Sequence, residues 1–226
     1  MSDEDNPIDV TALVALGAER LAMLLEEAAM TNPCIRRRLH FELSAQKNEN
    51  MSEVIRRWIS ELREQTSFLD AGEIDELARE LDDMRTAIVS NVFRALPKLA
   101  PDLMWQLFTL AGAVYERTIE EGWQVSQVFD QACADLVELS VDAEVDPKLF
   151  ATKVVSAISS DQYGEYSALI PAIASAQPRA AAYVSEIRVL LQRLLDDPRG
   201  PSDNANNEHS RILQHALSEL DSSSTA

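Results

Sequence analysis

The chain has 226 residues, of which 46% are hydrophobic, with only 6 glycines and 9 prolines. This composition is typical of one large globular domain or two small ones and excludes disorder over most of the chain. The net charge of −18 repels phosphate backbones and anionic lipid headgroups, so we expect neither nucleic acid nor a membrane as a partner.

The first predicted elements are a flexible polar tail over residues 1–8 and a long helix behind it. Asp9 is suited to cap this helix, which is expected to run to about Met30. The residues expected to face inward on it are Leu13, Leu16, Leu21, Leu24, Leu25 and Ala28.

Three further helices follow in the first half. Asn32 and Pro33 fit the N-cap and first position of the second helix, and Ser52 opens the third. Asp70 and Glu73 form a capping box at the start of the fourth. The inward positions are Ile35, Leu39 and Leu43 on the second helix, Ile55, Trp58, Ile59 and Leu62 on the third, and Ile74, Leu77, Leu81, Met84 and Ile88 on the fourth. The fourth helix turns a polar face to water, made of Asp75, Glu76, Arg79, Glu80, Asp82 and Asp83.

The second half begins with a turn between Pro97 and Pro101, and Gly122 separates the next two helices. Asp146 with Pro147 caps a helix that ends near Ser160. The inward residues are expected to be Leu103, Leu107, Leu110 and Val114, then Val125, Phe129, Ala132, Leu136 and Leu139. A tight connection over residues 161–164 leads to a helix that Pro171 kinks or shortens.

The C-terminal part is predicted to hold a helix from Pro178 through Leu195, a linker over residues 197–208 and a final amphipathic helix within residues 209–226. The apolar stripe of that last helix is Ile212, Leu213, Ala216, Leu217 and Leu220. A helix this short is marginal alone in water. It must therefore dock on its own body (residues 9–196), on a second copy or on a partner, and we predict that it is an attachable element outside the main fold.

These segments make an all-α protein of about ten helices, because nearly every one has a 3.6-residue period and none alternates like a strand. Short loops make consecutive helices antiparallel pairs, which recur roughly every 40 residues. That spacing fits an α-solenoid of the HEAT type, and an irregular helical bundle fits nearly as well.

Four stretches carry a resemblance to a bacterial family of helical proteins with no assigned function. They are residues 13–22 (LVALGAERLA), residues 35–39 (IRRRL), residues 67–88 and residues 161–171 (DQYGEYSALIP). The resemblance covers about residues 10–176 and implies an all-helical, cytosolic, bacterial protein that is shortened at its C-terminus relative to longer members. It supplies no catalytic residue.

The residues that usually carry chemistry are sparse. His40, His209 and His215 lie in no metal-ligand motif, and Cys133 falls on an apolar helix face, as inert buried thiols do. Cys34 and His40 are six residues apart, on different faces of one helix. With no nucleophile motif or phosphate-binding glycine loop either, we predict no metal, no cofactor and no catalytic residue.

Two groups are candidates for binding a partner. The first is the basic run Arg36, Arg37 and Arg38, which with Arg56, Arg57 and Arg63 on the next helix forms either an anion or acidic-peptide site or a solvated face paired with acids. The second is Tyr163 and Tyr166 around Gly164, which form either an exposed contact patch or packed rings beside a glycine turn. Trp58, Trp105 and Trp123 are expected in the core.

The polar, acidic N-terminus is unlike a signal peptide, and the longest apolar runs are about eight residues, far below the roughly 18–20 that span a bilayer. With two distant cysteines and no disulfide framework, these features predict a cytoplasmic protein. The leading hypothesis for function is a non-enzymatic scaffold or adaptor that binds another protein, or a second copy of itself. The alternative is an enzyme or ligand-binding protein with a pocket between helices.

Overall fold

The computed structural model describes residues 9–46, 50–118, 122–196 and 204–222. Within these ranges every regular element is a helix and no strand occurs, which confirms the predicted all-α class. The chain divides into an N-terminal unit that extends to Met51 and a C-terminal unit that begins at Ser52. The sequence pattern did not indicate this division. The predicted tail over residues 1–8 lies outside the described residues.

The N-terminal unit contains helices α1 (Val10–Ala15), α2 (Ala18–Thr31) and α3 (Pro33–Gln46). Asp9 caps α1 as predicted, since its carboxylate accepts a 2.6 Å hydrogen bond from the Ala12 amide. The single helix predicted to run to Met30 is wrong, because Gly17 interrupts it with a φ of 82° that no helical residue adopts. Asn32 caps α3 as predicted, at 2.8 Å from the Cys34 amide.

The C-terminal unit holds the remaining helices. They are α4 (Met51–Arg63), α5 (Ala71–Ala87), a π-helical turn (Ile88–Val92), α6 (Phe93–Ala95), α7 (Ala100–Phe108), α8 (Ala111–Tyr115), α9 (Trp123–Asp142), α10 (Pro147–Ser160), α11 (Leu169–Ser175), α12 (Ala181–Leu195) and α13 (Asn204–Ser222). The predicted caps at Asp70, with its Glu73 capping box, and at Asp146 are both present.

The core of this unit is built around α9, which packs against α5, α7 and α11. Phe108, Phe129 and Phe150 are among its largest fully buried side chains, and all the inward positions predicted for α4, α5 and α9 are buried. The paired helices are mostly not consecutive, because α5 meets α9 and α10 meets α12.

One residue of the predicted polar face on α5 is buried instead. Glu80 is 5% exposed and accepts a 2.7 Å hydrogen bond from the indole Nε1 of Trp58, which is itself 3% exposed. Glu80 lies beside Leu77 and Met84, at the edge of the apolar stripe. Its methylene groups therefore enter the core, and the indole N–H satisfies its carboxylate.

The C-terminal helices differ from the prediction at their boundaries. Helix α12 begins at Ala181 rather than Pro178, and α13 begins at Asn204, inside the segment predicted as a linker. Residues 197–203 lie outside the described residues. Helix α13 packs against α10, α11 and α12, and Leu213, Ala216 and Leu220 on it are buried. In this structure the helix therefore packs on its own chain, whereas the sequence predicted an attachable element outside the main fold.

Candidate functional site

Helices α1 and α2 bury no side chain at all. Their exposed large apolar residues form what we call the N-terminal apolar surface. Its members are Val10, Leu13, Val14, Leu16, Met23, Leu24, Leu25 and Met30, with exposed fractions from 36% to 76%. Four of them, Leu13, Leu16, Leu24 and Leu25, were predicted to face inward, and that prediction is wrong. The amphipathic spacing grouped these residues correctly, but their side chains are exposed.

The same error occurs on α3, where Leu43 was predicted to face inward and is 53% exposed. Of the 17 large apolar side chains exposed in the described part of the chain, nine therefore lie in the N-terminal unit. Single exposed apolar residues are normal on a protein surface, whereas clusters mark sites of interaction. The N-terminal unit carries the densest such cluster among the described residues.

The N-terminal unit, which extends from Met1 to Met51, contains five basic and nine acidic side chains, for a net charge of −4. Per residue this is the same charge as that of the whole chain, which carries −18 over 226 residues.

The basic run lies on α3 in this unit, with Arg36 and Arg38 exposed and Arg37 half-buried. Arg56 and Arg63 lie on α4 in the other unit. There Arg56 pairs with Glu53 at 2.8 Å and Arg63 donates to the Thr109 hydroxyl at 2.6 Å. These contacts match the solvated, locally paired alternative for α4. The anion site between the two helices stays a prediction, because its two halves belong to different units.

The two candidate tyrosines diverge from the turn that follows α10. Gly164 makes this turn with a φ of 79°. Tyr163 stacks on Tyr115 with ring centroids 5.7 Å apart, and its hydroxyl donates to Glu116 at 2.8 Å. Tyr166 instead points into an aromatic cluster, 4.9 Å from the ring of Phe108. The structure therefore does not bring the two rings together as one patch.

A carboxyl pair, which the sequence analysis did not single out, organises the same turn. Glu165 is 8% exposed, and its carboxyl is hydrogen-bonded to that of Asp161. Asp161 in turn accepts the amide of Gly164 at 2.8 Å, and Glu165 accepts that of Tyr163 at 3.1 Å. Burial, reinforced by the Asp161 carboxyl, raises the pKa of Glu165 to about 7. The Glu165 carboxyl therefore gives up its proton only around neutral pH.

A cleft of about 580 Å³ separates this turn from α13. Ile170 and Ala216 contribute apolar walls, Asp161 contributes a carboxylate, and Arg211 and His215 stand exposed at its edge. Such a mixture of apolar walls and a few polar groups is what small-ligand sites present. The cleft is the part of the C-terminal unit that best fits the ligand-binding alternative.

The remaining candidate residues are dispersed. Trp58 is buried as predicted and Trp105 is half-buried beside Phe108, but Trp123 is 60% exposed, so its predicted core position is wrong. Cys133 is buried as predicted, and burial raises the pKa of its thiol, which keeps it protonated. Within the described ranges no three His, Cys, Asp or Glu side chains gather in a way that could hold a metal ion.

None of the helices in the described ranges is long and apolar enough to cross a membrane.

The fold and its surfaces define an all-α protein with a well-packed C-terminal unit and an uncovered apolar surface on its N-terminal unit. The chain belongs to a family of unknown function (DUF6880), which it matches over residues 4–224. This match continues past Ala176, where the resemblance noted in the sequence ends, and includes α12 and α13. No curated protein matches the chain, and no solved structure matches it either.

Proposed function

We propose that this protein is a non-enzymatic interaction protein, of the scaffold or adaptor type, that binds another protein chain through its N-terminal apolar surface. The observation that carries the proposal is that α1, α2 and Leu16 between them expose eight large apolar side chains, and that the two helices bury none. The predicted cytoplasmic location and bacterial origin belong to the same proposal.

Burying the N-terminal apolar surface against another chain is favourable in free energy. Full burial of one Val, Leu or Met side chain contributes roughly 1.5–3 kcal/mol. A unit that extends only from Met1 to Met51 buries little apolar area and is marginally stable by itself. Docking on another chain therefore supplies both affinity for the partner and stability for the unit.

The experiment measures the native mass of the tagged chain in extracts of the cells that make it. We expect the wild-type chain to migrate well above its own 25.1 kDa, and Leu24→Asp to return it toward that mass, because a carboxylate in an apolar contact is costly. Thr152→Asp, at an exposed position on α10 in the other unit, is the matched control and is expected to behave like wild type. A wild-type chain that migrates at its own mass would contradict the proposal.

A second candidate function is the binding of a small ligand in the cleft beside α13. The observation that favours it is the meeting of Asp161, Arg211 and apolar walls in one cavity, which suits an amphipathic molecule carrying charge. A ligand of this kind would raise the unfolding temperature of the wild-type chain and leave that of Ala216→Trp, in which the cleft is filled, unchanged. Equal shifts in both chains would remove the cleft from consideration.

A further inference from the structure

We propose that a second, smaller cavity in the C-terminal unit binds a free α-amino acid with an apolar side chain. This cavity has a volume of about 230 Å³ and is lined by residues of α7, of the end of α9, of the connection that follows it and of α10. Among the described residues it shares no lining side chain with the cleft beside α13. The inference is independent of the function proposed above, because it concerns the other unit of the chain.

The walls of this cavity include aromatic and aliphatic side chains. Phe150 is 1% exposed and packs on Tyr183, with ring centroids 4.4 Å apart. Trp105 is half-buried, with its ring centroid 6.4 Å from that of Phe150. Leu149, which also lines the cavity, is 53% exposed. Walls of this kind stabilise an apolar group that leaves water to contact them.

The connection between α9 and α10 is fixed in place by the rest of the chain. The Tyr183 hydroxyl lies 2.7 Å from the carbonyl oxygen of Ser140 and 3.0 Å from that of Val145, and donates to both. Between them, Glu144 has a φ of 54°, in the left-handed region that residues other than glycine rarely adopt. Residues held in this conformation are found preferentially at ligand sites, where the surrounding structure enforces it.

The buried part of the cavity contains a polar group that the described chain does not satisfy. Ser140 lines the cavity and is 0% exposed, and its hydroxyl has no hydrogen-bond partner among the described residues. A buried hydroxyl without a partner is unfavourable, and a polar atom of a ligand would supply that partner. The cavity therefore suits a ligand that combines an apolar part with polar groups.

Five charged side chains line the cavity, and three of them are bonded within the chain. The five are Lys98, Lys153, Asp102, Glu144 and Asp146. Lys153 donates to Asp102 at 2.7 Å, and Asp146 caps α10 by accepting a backbone amide at 2.9 Å. Within the described ranges the side chains of Lys98 and Glu144 have no hydrogen bond or ion pair. One ammonium and one carboxylate therefore remain to meet a ligand.

This pair of opposite charges matches a zwitterion. Lys98 precedes α7 and Glu144 follows α9, so the two charges come from different walls of the cavity. A ligand carboxylate can pair with Lys98 while a ligand ammonium pairs with Glu144, whereas a simple anion or cation would leave one of the two unmatched. The volume of about 230 Å³ is below the roughly 300–1,000 Å³ of sites for drug-sized molecules. A single amino acid is therefore a better fit than a peptide.

The first test changes the ligand and leaves the chain as it is. In isothermal titration calorimetry with the purified full-length chain, L-leucine or L-phenylalanine is expected to bind saturably, one molecule per chain. The same molecule without its ammonium group, or with its carboxylate replaced by a neutral amide, is expected to bind about tenfold more weakly. Glycine, which lacks the apolar side chain, should also bind more weakly. Failure of both amino acids to bind overturns the inference, as does equal affinity for the amino acid and any of these analogues.

The second test locates the site. Lys98→Met and Glu144→Gln are each expected to weaken binding by about tenfold. Ser140→Ala is expected to weaken it severalfold without lowering the unfolding temperature of the unliganded chain, because the hydroxyl has no partner to lose. Lys148→Met is the matched control, since it removes the same charge at an exposed position of α10 that does not line the cavity, and it should bind like wild type. Unchanged affinity in both Lys98→Met and Glu144→Gln, with wild-type circular dichroism, places the amino acid elsewhere and overturns the inference.

Discussion

Replacing Glu165 with glutamine removes a carboxyl whose burial makes folding sensitive to pH near neutrality. In the folded chain Glu165 lies in the turn after α10, 8% exposed and hydrogen-bonded to Asp161, and its pKa rises from 4.5 to about 7. A raised folded pKa means that the folded state binds the proton more tightly than the unfolded state. The resulting stabilisation is complete below pH 4.5 and is lost as the pH rises through about 7.

The size of this effect follows from the two pKa values. A change of one pKa unit corresponds to about 1.4 kcal/mol, so the interval from 4.5 to about 7 amounts to at most about 3 kcal/mol. The neighbouring Cys133 and Tyr166 do not contribute, because burial also raises the pKa of each and both stay neutral over this range. Glu165→Gln keeps a hydrogen-bond donor toward Asp161 and cannot ionise.

The assay is urea unfolding, followed by circular dichroism between pH 4.5 and pH 8. The free energy of unfolding of the wild-type chain should fall relative to that of Glu165→Gln as the pH rises, and the variant should be the more stable chain at pH 8. Glu76→Gln, at an exposed position on α5, serves as the control and should follow the wild-type curve. Parallel curves for wild type and Glu165→Gln across the whole range would refute the reasoning about the carboxyl pair.

Two further predictions concern the core of the C-terminal unit. Ending the chain after Asp196 removes α13, whose Leu213 and Leu220 are buried. Because each buried leucine contributes roughly 1.5–3 kcal/mol, we expect the unfolding temperature measured by calorimetry to drop by several degrees. An unchanged unfolding temperature would show that α13 contributes nothing to the stability of the fold. Trp58→Phe removes the indole N–H that donates to the buried carboxylate of Glu80 at 2.7 Å and should lower the free energy of unfolding by about 1–3 kcal/mol. A loss smaller than that of an ordinary surface substitution, about 0.5 kcal/mol, would show that the hydrogen bond is not formed.

The fold class and most helix starts could be predicted because they depend on local chemistry. Asp9, Asn32, Asp70 and Asp146 each cap the helix that follows, since a short acceptor side chain satisfies the free amides there. The inward positions of α5 were also predictable, because a 3.6-residue period shows which residues share a face.

Periodicity shows which residues share one face of a helix but not what packs against that face. This explains the main errors in the predicted inward positions. The leucines of α1 and α2 follow the same spacing as those of α5, yet they are exposed, because a stripe of leucines is equally suited to its own chain and to another one. The carboxyl pair of Asp161 and Glu165 escaped prediction for a related reason. Two acids four residues apart in a polar turn are usually solvated, whereas Glu165 is only 8% exposed in the folded chain.

Site-specific photo-crosslinking in intact cells tests the central claim most directly, because it asks whether another chain lies against the N-terminal apolar surface. A photoreactive amino acid is placed at Leu24, and in a separate chain at Thr152 on α10, and both chains are irradiated. The account predicts a discrete adduct from position 24, at about twice 25.1 kDa if the neighbour is a second copy, and none from position 152. The absence of any adduct from position 24, in a chain that is folded and abundant, would contradict it.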